Sequence, residues 1–140
     1  AGVFDTPILA VNAAPVTPPY PKHCHYIPKL LYKGDDLISV TDICNGLKLG
    51  GENTLPIQLC FSGKELANYG YRYENNSAQD IRRAVAEFEK RVNGDCFDDQ
   101  LTGRQKSFLD AVTSEFYTGD SKNVVCDSFI RDHPQAFPGV

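Results

Sequence analysis

Methionine and tryptophan are absent from this chain of 140 residues, and no apolar run approaches the roughly 18 residues that a membrane span needs. A chain without methionine that begins at Ala1 is not a direct translation start, so a leader removed by processing is expected. No transmembrane helix is expected. Lys and Arg number 14 against 18 Asp and Glu, for a net charge of -4. No stretch is dense in basic residues, so nucleic acid is not the expected partner. Close CxxC pairs are missing, which disfavours zinc ribbons and dithiol redox sites. HxxxH and HExxH helices, a GxSxG elbow, GxGxxG and the Walker pattern are missing too. Asp35-Asp36 and Asp98-Asp99 read as acidic turns, because a calcium hand needs oxygen ligands at alternate positions over about twelve residues. No cofactor and no metal are expected.

What remains is ordinary globular usage. Apolar residues make up 41% and charged residues 23%, and the length suits a single core. Residues 1–22 hold five of the nine prolines (Pro7, Pro15, Pro18, Pro19 and Pro21), and read as an extended lead-in to one domain over 23–140. Five cysteines, Cys24, Cys44, Cys60, Cys96 and Cys126, are spaced widely. Disulfides of an oxidising compartment look like this, because closing long loops restricts the unfolded chain most. The expectation is two bridges and one leftover thiol, with the pairing open and Cys24 the odd one. The sequon Asn75-Asn76-Ser77 fits the same secretory history.

The clearest element is a helix over Ser77 to Val92, with Ser77 and Asp80 as its capping pair and Asn93-Gly94 as its stop. Ile81, Ala84, Val85, Phe88 and Val92 form its apolar stripe, while Arg82, Arg83, Glu87, Glu89, Lys90 and Arg91 read as a solvated face. Thr102 and Gln105 start a second helix over Gly103 to Phe116, and Ser39 and Asp42 a third over Val40 to Leu49. Strands are expected at Tyr26 to Tyr32 (an edge, because of Pro28), Ile57 to Phe61, Tyr69 to Tyr73, and a central one at Asn123 to Ile130. Together these predict an α+β domain, one small antiparallel or mixed sheet packed with two to three helices and stapled by disulfides.

Two segments carry candidate chemistry. In His23-Cys24-His25 the imidazoles share one side of an extended segment. Only His133 is left as a third imidazole, so the triplet reads as polar residues where tail meets domain. In Tyr69-Gly70-Tyr71-Arg72-Tyr73-Glu74, a strand puts the three tyrosines on one face and Arg72 and Glu74 on the other. The tyrosines make either a core wall or a binding surface. Tyr69, Tyr71, Arg72, Tyr73 and Glu74 are therefore the candidate binding residues.

Tyr69-Gly-Tyr-Arg-Tyr, with Phe116-Tyr117-Thr118-Gly119-Asp120, resembles two short segments of the small secreted microbial guanyl-specific ribonucleases. That resemblance implies RNA cleavage by a glutamate, an arginine and a histidine through a cyclic phosphate. Ser121 stands where the family has its catalytic histidine, and a helix over 77–92 replaces its Arg-rich strand, so neither residue carries over and Glu74 is left as a stranded counterpart. In its size, cysteines and processed start the chain also resembles secreted effectors of plant-pathogenic fungi, some of which are similar to ribonucleases without an active site. The expected function is a secreted, non-catalytic, effector or toxin-like protein that binds a host or competitor macromolecule, with a protein as partner. The alternative is a small ribonuclease using His25 or His133 with Glu74, for which an acid and a base must share one phosphate pocket. A third reading, an extracellular ligand carrier, requires a closed apolar cavity.

Overall fold

A computed structural model describes residues 6–14, 24–60, 62–94, 100–113 and 123–140. In chain order the elements are β1 (Ile8–Ala13), β2 (Cys24–Pro28), β3 (Leu30–Lys33), β4 (Asp36–Ile38) and α1 (Val40–Cys44), followed by a 3-10 turn at Ile57–Leu59. Then come α2 (Gly63–Asn68), β5 (Tyr71–Glu74), α3 (Ala78–Asn93), α4 (Gly103–Ala111), β6 (Val124–Val125) and α5 (Asp127–Asp132), with a closing 3-10 turn at Pro134–Ala136. The class is α+β, but with two sheets rather than one and five α-helices among the described residues. A parallel sheet has the order β1-β2-β6, and an antiparallel sheet the order β4-β3-β5.

The expected strand over Tyr26 to Tyr32 is two strands, because the chain leaves one sheet and enters the other at Pro28-Lys29. Each half is the central strand of its sheet, which corrects the edge assignment. Pro28 lacks an N–H to donate, and none is required. β6 pairs only with His25 and Tyr26, and the next amide, Lys29, donates to the Ala13 carbonyl at 2.9 Å. Ile57 to Phe61 is a 3-10 turn rather than a strand at its described residues. The segment from Asn123 is a two-residue edge strand that turns into a helix.

Residues 1–22 are also more than a lead-in, since Ile8–Ala13 forms β1, parallel to β2. Its register slips between Ala10 and Ala13, where Asn12 adopts φ 54°, a left-handed conformation that Asn tolerates better than most residues. Asn76 holds this bulge. Asn12 N–H donates to Asn76 Oδ1 at 2.6 Å, Asn76 N–H donates to Asn12 Oδ1 at 2.7 Å, and Asn76 Nδ2 donates to the Pro28 carbonyl at 2.7 Å.

The helix starts follow the sequence. Ser77 and Asp80 form a reciprocal capping box on α3, Thr102 and Gln105 another on α4, and the Ser39 hydroxyl accepts from Asp42 N–H at the start of α1. α4 stops at Ala111 and α1 at Cys44, short of the expected ends. α3 lays Ile81, Ala84 and Phe88 toward the parallel sheet, whereas Val85 and Val92, expected in its stripe, are 39% and 44% exposed.

The core runs through both sheets. Phe108, Phe129 and Phe137 are buried and meet edge to face, with centroids 5.4 and 6.2 Å apart for Phe108–Phe137 and Phe129–Phe137. Each such ring is worth about 1.5 to 3 kcal/mol of burial. Cys24, Cys44, Cys60 and Cys126 are buried free thiols, which corrects the staple expectation for the described residues; Cys96 lies outside them. These thiols pack as small apolar side chains, and burial pushes Cys24 up to about 11.

Asn76→Ala removes two of these three bonds, one to β1 and one to β2, and should cost about 1 to 3 kcal/mol in urea unfolding. A loss under about 0.5 kcal/mol would show that the bulge holds itself.

Candidate functional site

One flank of α3 carries a polar stripe at helical spacing: Asp80, Arg83, Glu87 and Arg91. Three or four residues separate each from the next, so they stack on one side, and α5 lies antiparallel against them. At one end His133 Nε2 donates to Asp80 Oδ1 at 2.8 Å; the ionised carboxylate can only accept. In the middle Arg83 pairs with Asp132, which Arg131 also contacts at 2.9 Å. At the other end the two Glu87 carboxylate oxygens accept the Asp127 and Ser128 N–H groups at 2.9 and 2.8 Å. Glu87 thus supplies the N-terminal cap of α5 from another helix, meeting amides that a short helix leaves unpaired. Arg91 donates to Gln105 Oε1 at 2.9 Å and carries the contact on to α4. Glu87 and Arg91, expected on the solvated face, are therefore partly buried contacts.

Two cavities flank this seam and share Arg83. The smaller, about 290 Å³, is lined by Glu74, Asn75, Ser77, Asp80, Arg83 and His133. His133 leans on Phe129 with centroids 4.4 Å apart. The larger, about 450 Å³, opens at the Glu87 end beneath Arg83, Lys90, Arg91, Asp127 and Arg131. At its rim Asp127 accepts two bonds from Arg104, at 3.0 and 2.7 Å, and one from the Thr102 hydroxyl.

Three aspartates here are held below their ordinary range. Burial alone would raise Asp80 and Asp127. Ser77 and His133 outweigh it at Asp80, and Arg104 and Thr102 at Asp127. At Asp132 the hydrogen bond from Arg131 is the largest cause.

The expected binding residues are split between two faces. Tyr71 is 6% exposed and Tyr73 half-buried, both on the inner face of the antiparallel sheet, and burial pushes the Tyr73 hydroxyl up to about 12. Arg72 and Glu74 stand on the outer face, 3.6 Å apart, with side chains 54% and 52% exposed. The Arg72 guanidinium lies 4.5 Å from the centroid of Tyr32, its cross-strand partner. Tyr69 does not share the face of Tyr71 and Tyr73. Gly70, at φ 81°, turns the chain from α2 into β5, a conformation that glycine takes without strain. Tyr69 packs over Gly50, where an added Cβ would lie 3.0 Å from its ring.

Of the histidines, His133 reaches a cavity together with Glu74. His25 is fully buried in β2, and with Glu87 and Cys126 it forms a group whose donor atoms lie within 4.8 Å of one another. Sequence spacing gave no sign of that group, because β2, α3 and the start of α5 come together only in the fold. His23, and Phe116 to Asp120 with Ser121, lie outside the described residues. No described helix is long and apolar enough to cross a membrane.

Tyr71→Ala should cost about 3 kcal/mol or more through the cavity it leaves, and Arg72→Ala less than about 1 kcal/mol, both read by urea denaturation. Equal costs would show that the two faces are not distinct. Because the folded state lowers Asp80, Asp127 and Asp132, they stabilise it above the unfolded aspartate value of about 4. That stability is lost as pH falls through their folded values. Melting temperature should therefore decline below about pH 4; a protein equally stable at pH 2 and pH 6 would contradict this. Comparison of the chain with protein-family models, with curated proteins and with solved structures returned no match.

Proposed function

We propose that the protein is a secreted binding protein of the effector or toxin type, which engages a protein partner through the outer face of β3 and β5. The observation that carries this reading is the Tyr32–Arg72–Glu74 group. An aromatic ring and a guanidinium are stacked at 4.5 Å, with an exposed carboxylate beside them. Tyrosine and arginine anchor interfaces more often than other residues, because each offers broad contact area with polar ends. Stacking fixes the Arg72 side chain before a partner arrives, which reduces the ordering cost of binding. Leu37, directly opposite Tyr32 in the register, is half-buried and with Tyr32 packs partly against the core, which leaves only part of each side chain to the outer row. Exposed Asn75 of the sequon is consistent with passage through a secretory route.

One observation favours phosphodiester cleavage as a second reading: Glu74, His133 and Arg83 line the same cavity. In that chemistry a base takes the proton of an attacking hydroxyl, an acid protonates the leaving oxygen, and a guanidinium balances phosphate charge. Against it, His133 is held by Asp80, Arg83 by Asp132, and Glu74 lies beside Arg72. These are the partners expected of a seam between helices.

One set of assays separates the two readings. Tagged parent protein, Arg72→Ala, Tyr32→Ala and the control Glu89→Ala on α3 are compared for partner capture, and the parent is incubated with total RNA at pH 5 to 8. The binding reading expects one partner held by the parent and by Glu89→Ala, with at least tenfold weaker capture by Arg72→Ala, and RNA left intact. Equal capture by all four proteins would remove the β3–β5 face. RNA cleavage that disappears in His133→Ala would replace the binding reading with the catalytic one.

A further inference from the structure

β2, α3 and the residue that opens α5 bring one imidazole, one carboxylate and one thiol to a single point. His25 and Cys126 are fully buried, and the donor atoms of His25, Glu87 and Cys126 lie within 4.8 Å of one another. A tetrahedral zinc ion with bonds of about 2.0 to 2.3 Å holds its ligands roughly 3.3 to 3.8 Å apart. The upper bound of 4.8 Å on the donor separations is about an ångström above that spacing. The supporting shell already exists. Glu87 is oriented by the Asp127 and Ser128 amides, which leaves each oxygen a further lone pair. Metal sites depend on such second contacts to fix ligand direction.

We propose that His25, Glu87 and Cys126 bind a zinc ion with three protein ligands, the fourth position being left to a small ligand. The donor set selects the metal class. Calcium and magnesium use oxygen ligands alone, whereas mixed nitrogen, sulfur and oxygen donors suit zinc and its spectroscopic substitute cobalt. Binding breaks the Cys126 S–H bond, releases that proton to solvent and forms a metal–sulfur bond. The dication then balances one thiolate and one carboxylate. Glu87 lines the cavity as well as the cluster, whereas His25 and Cys126 are fully buried and do not line it; the open position takes a water or a small anion.

The test is titration of the reduced 140-residue chain with Co²⁺, read by the near-ultraviolet absorption of a cobalt–thiolate bond, followed by displacement with Zn²⁺. The expected result is one equivalent bound, an absorption band that zinc abolishes, loss of that band in Cys126→Ser and its retention in Cys44→Ser. Glu87→Gln should weaken cobalt at least about tenfold. The parent protein decides the matter even if a variant fails to fold: no thiolate band on saturation with cobalt overturns the proposal. A band that survives in folded Cys126→Ser, or that depends on Cys24 or Cys60 instead, overturns it equally.

Discussion

The Glu87 carboxylate is the contact on which the arrangement of the second half of the chain depends. α5 has six residues, too few to be stable alone, and the residue before it offers no side-chain cap. Its first two amides are instead met by an acceptor from α3. That places a negative charge at the positive end of the α5 dipole, where it is favourable. Arg83 with Asp132, and Asp80 with His133, then fix the direction of α5 along α3. Phe129 and Ile130, on the opposite side of α5, enter the core. The polar seam sets the position and the apolar face supplies most of the burial energy.

This seam also explains why the chemistry-bearing residues lie where they do. Both cavities border it, one at the His133 end and one at the Glu87 end, and Arg83 reaches each of them. Cys126 joins His25 and Glu87 because it is the last residue before α5 and follows β6, the neighbour of β2. A fold of two small sheets and short helices leaves few long elements on which to build a site. Packed turns and helix ends supply it. The Tyr32–Arg72 stack is set by the antiparallel register of β3 and β5, and Glu74 beside it also lines the smaller cavity.

Local signals were legible in the sequence and long-range ones were not. The capping pairs Ser77–Asp80 and Thr102–Gln105 act within one turn, so residue type and spacing located both helix starts. The alternation of Tyr71, Arg72, Tyr73 and Glu74 separated the two faces of β5 for the same reason. Val124-Val125-Cys126-Asp127-Ser128-Phe129-Ile130 reads as β-rich, yet most of it is helical, because the Glu87 cap lies some forty residues upstream. Ile8–Ala13 looked like part of a proline-rich tail, since its strand partner is visible only after β2 is placed. Tyr69 was assigned to the strand because a left-handed glycine at position 70 is not marked by periodicity. The His25–Glu87–Cys126 group was hidden by sequence distance.

The most direct test of this account is amide hydrogen exchange on Glu87→Ala beside the parent protein. If the carboxylate holds α5, the amides of Asp127, Ser128, Phe129 and Ile130 should lose most of their protection in the variant. The amides of β2 and β3 should keep theirs, because local opening of one helix leaves the sheets intact. Unchanged protection across 127–130 would contradict the claim that this one carboxylate positions the second half of the fold.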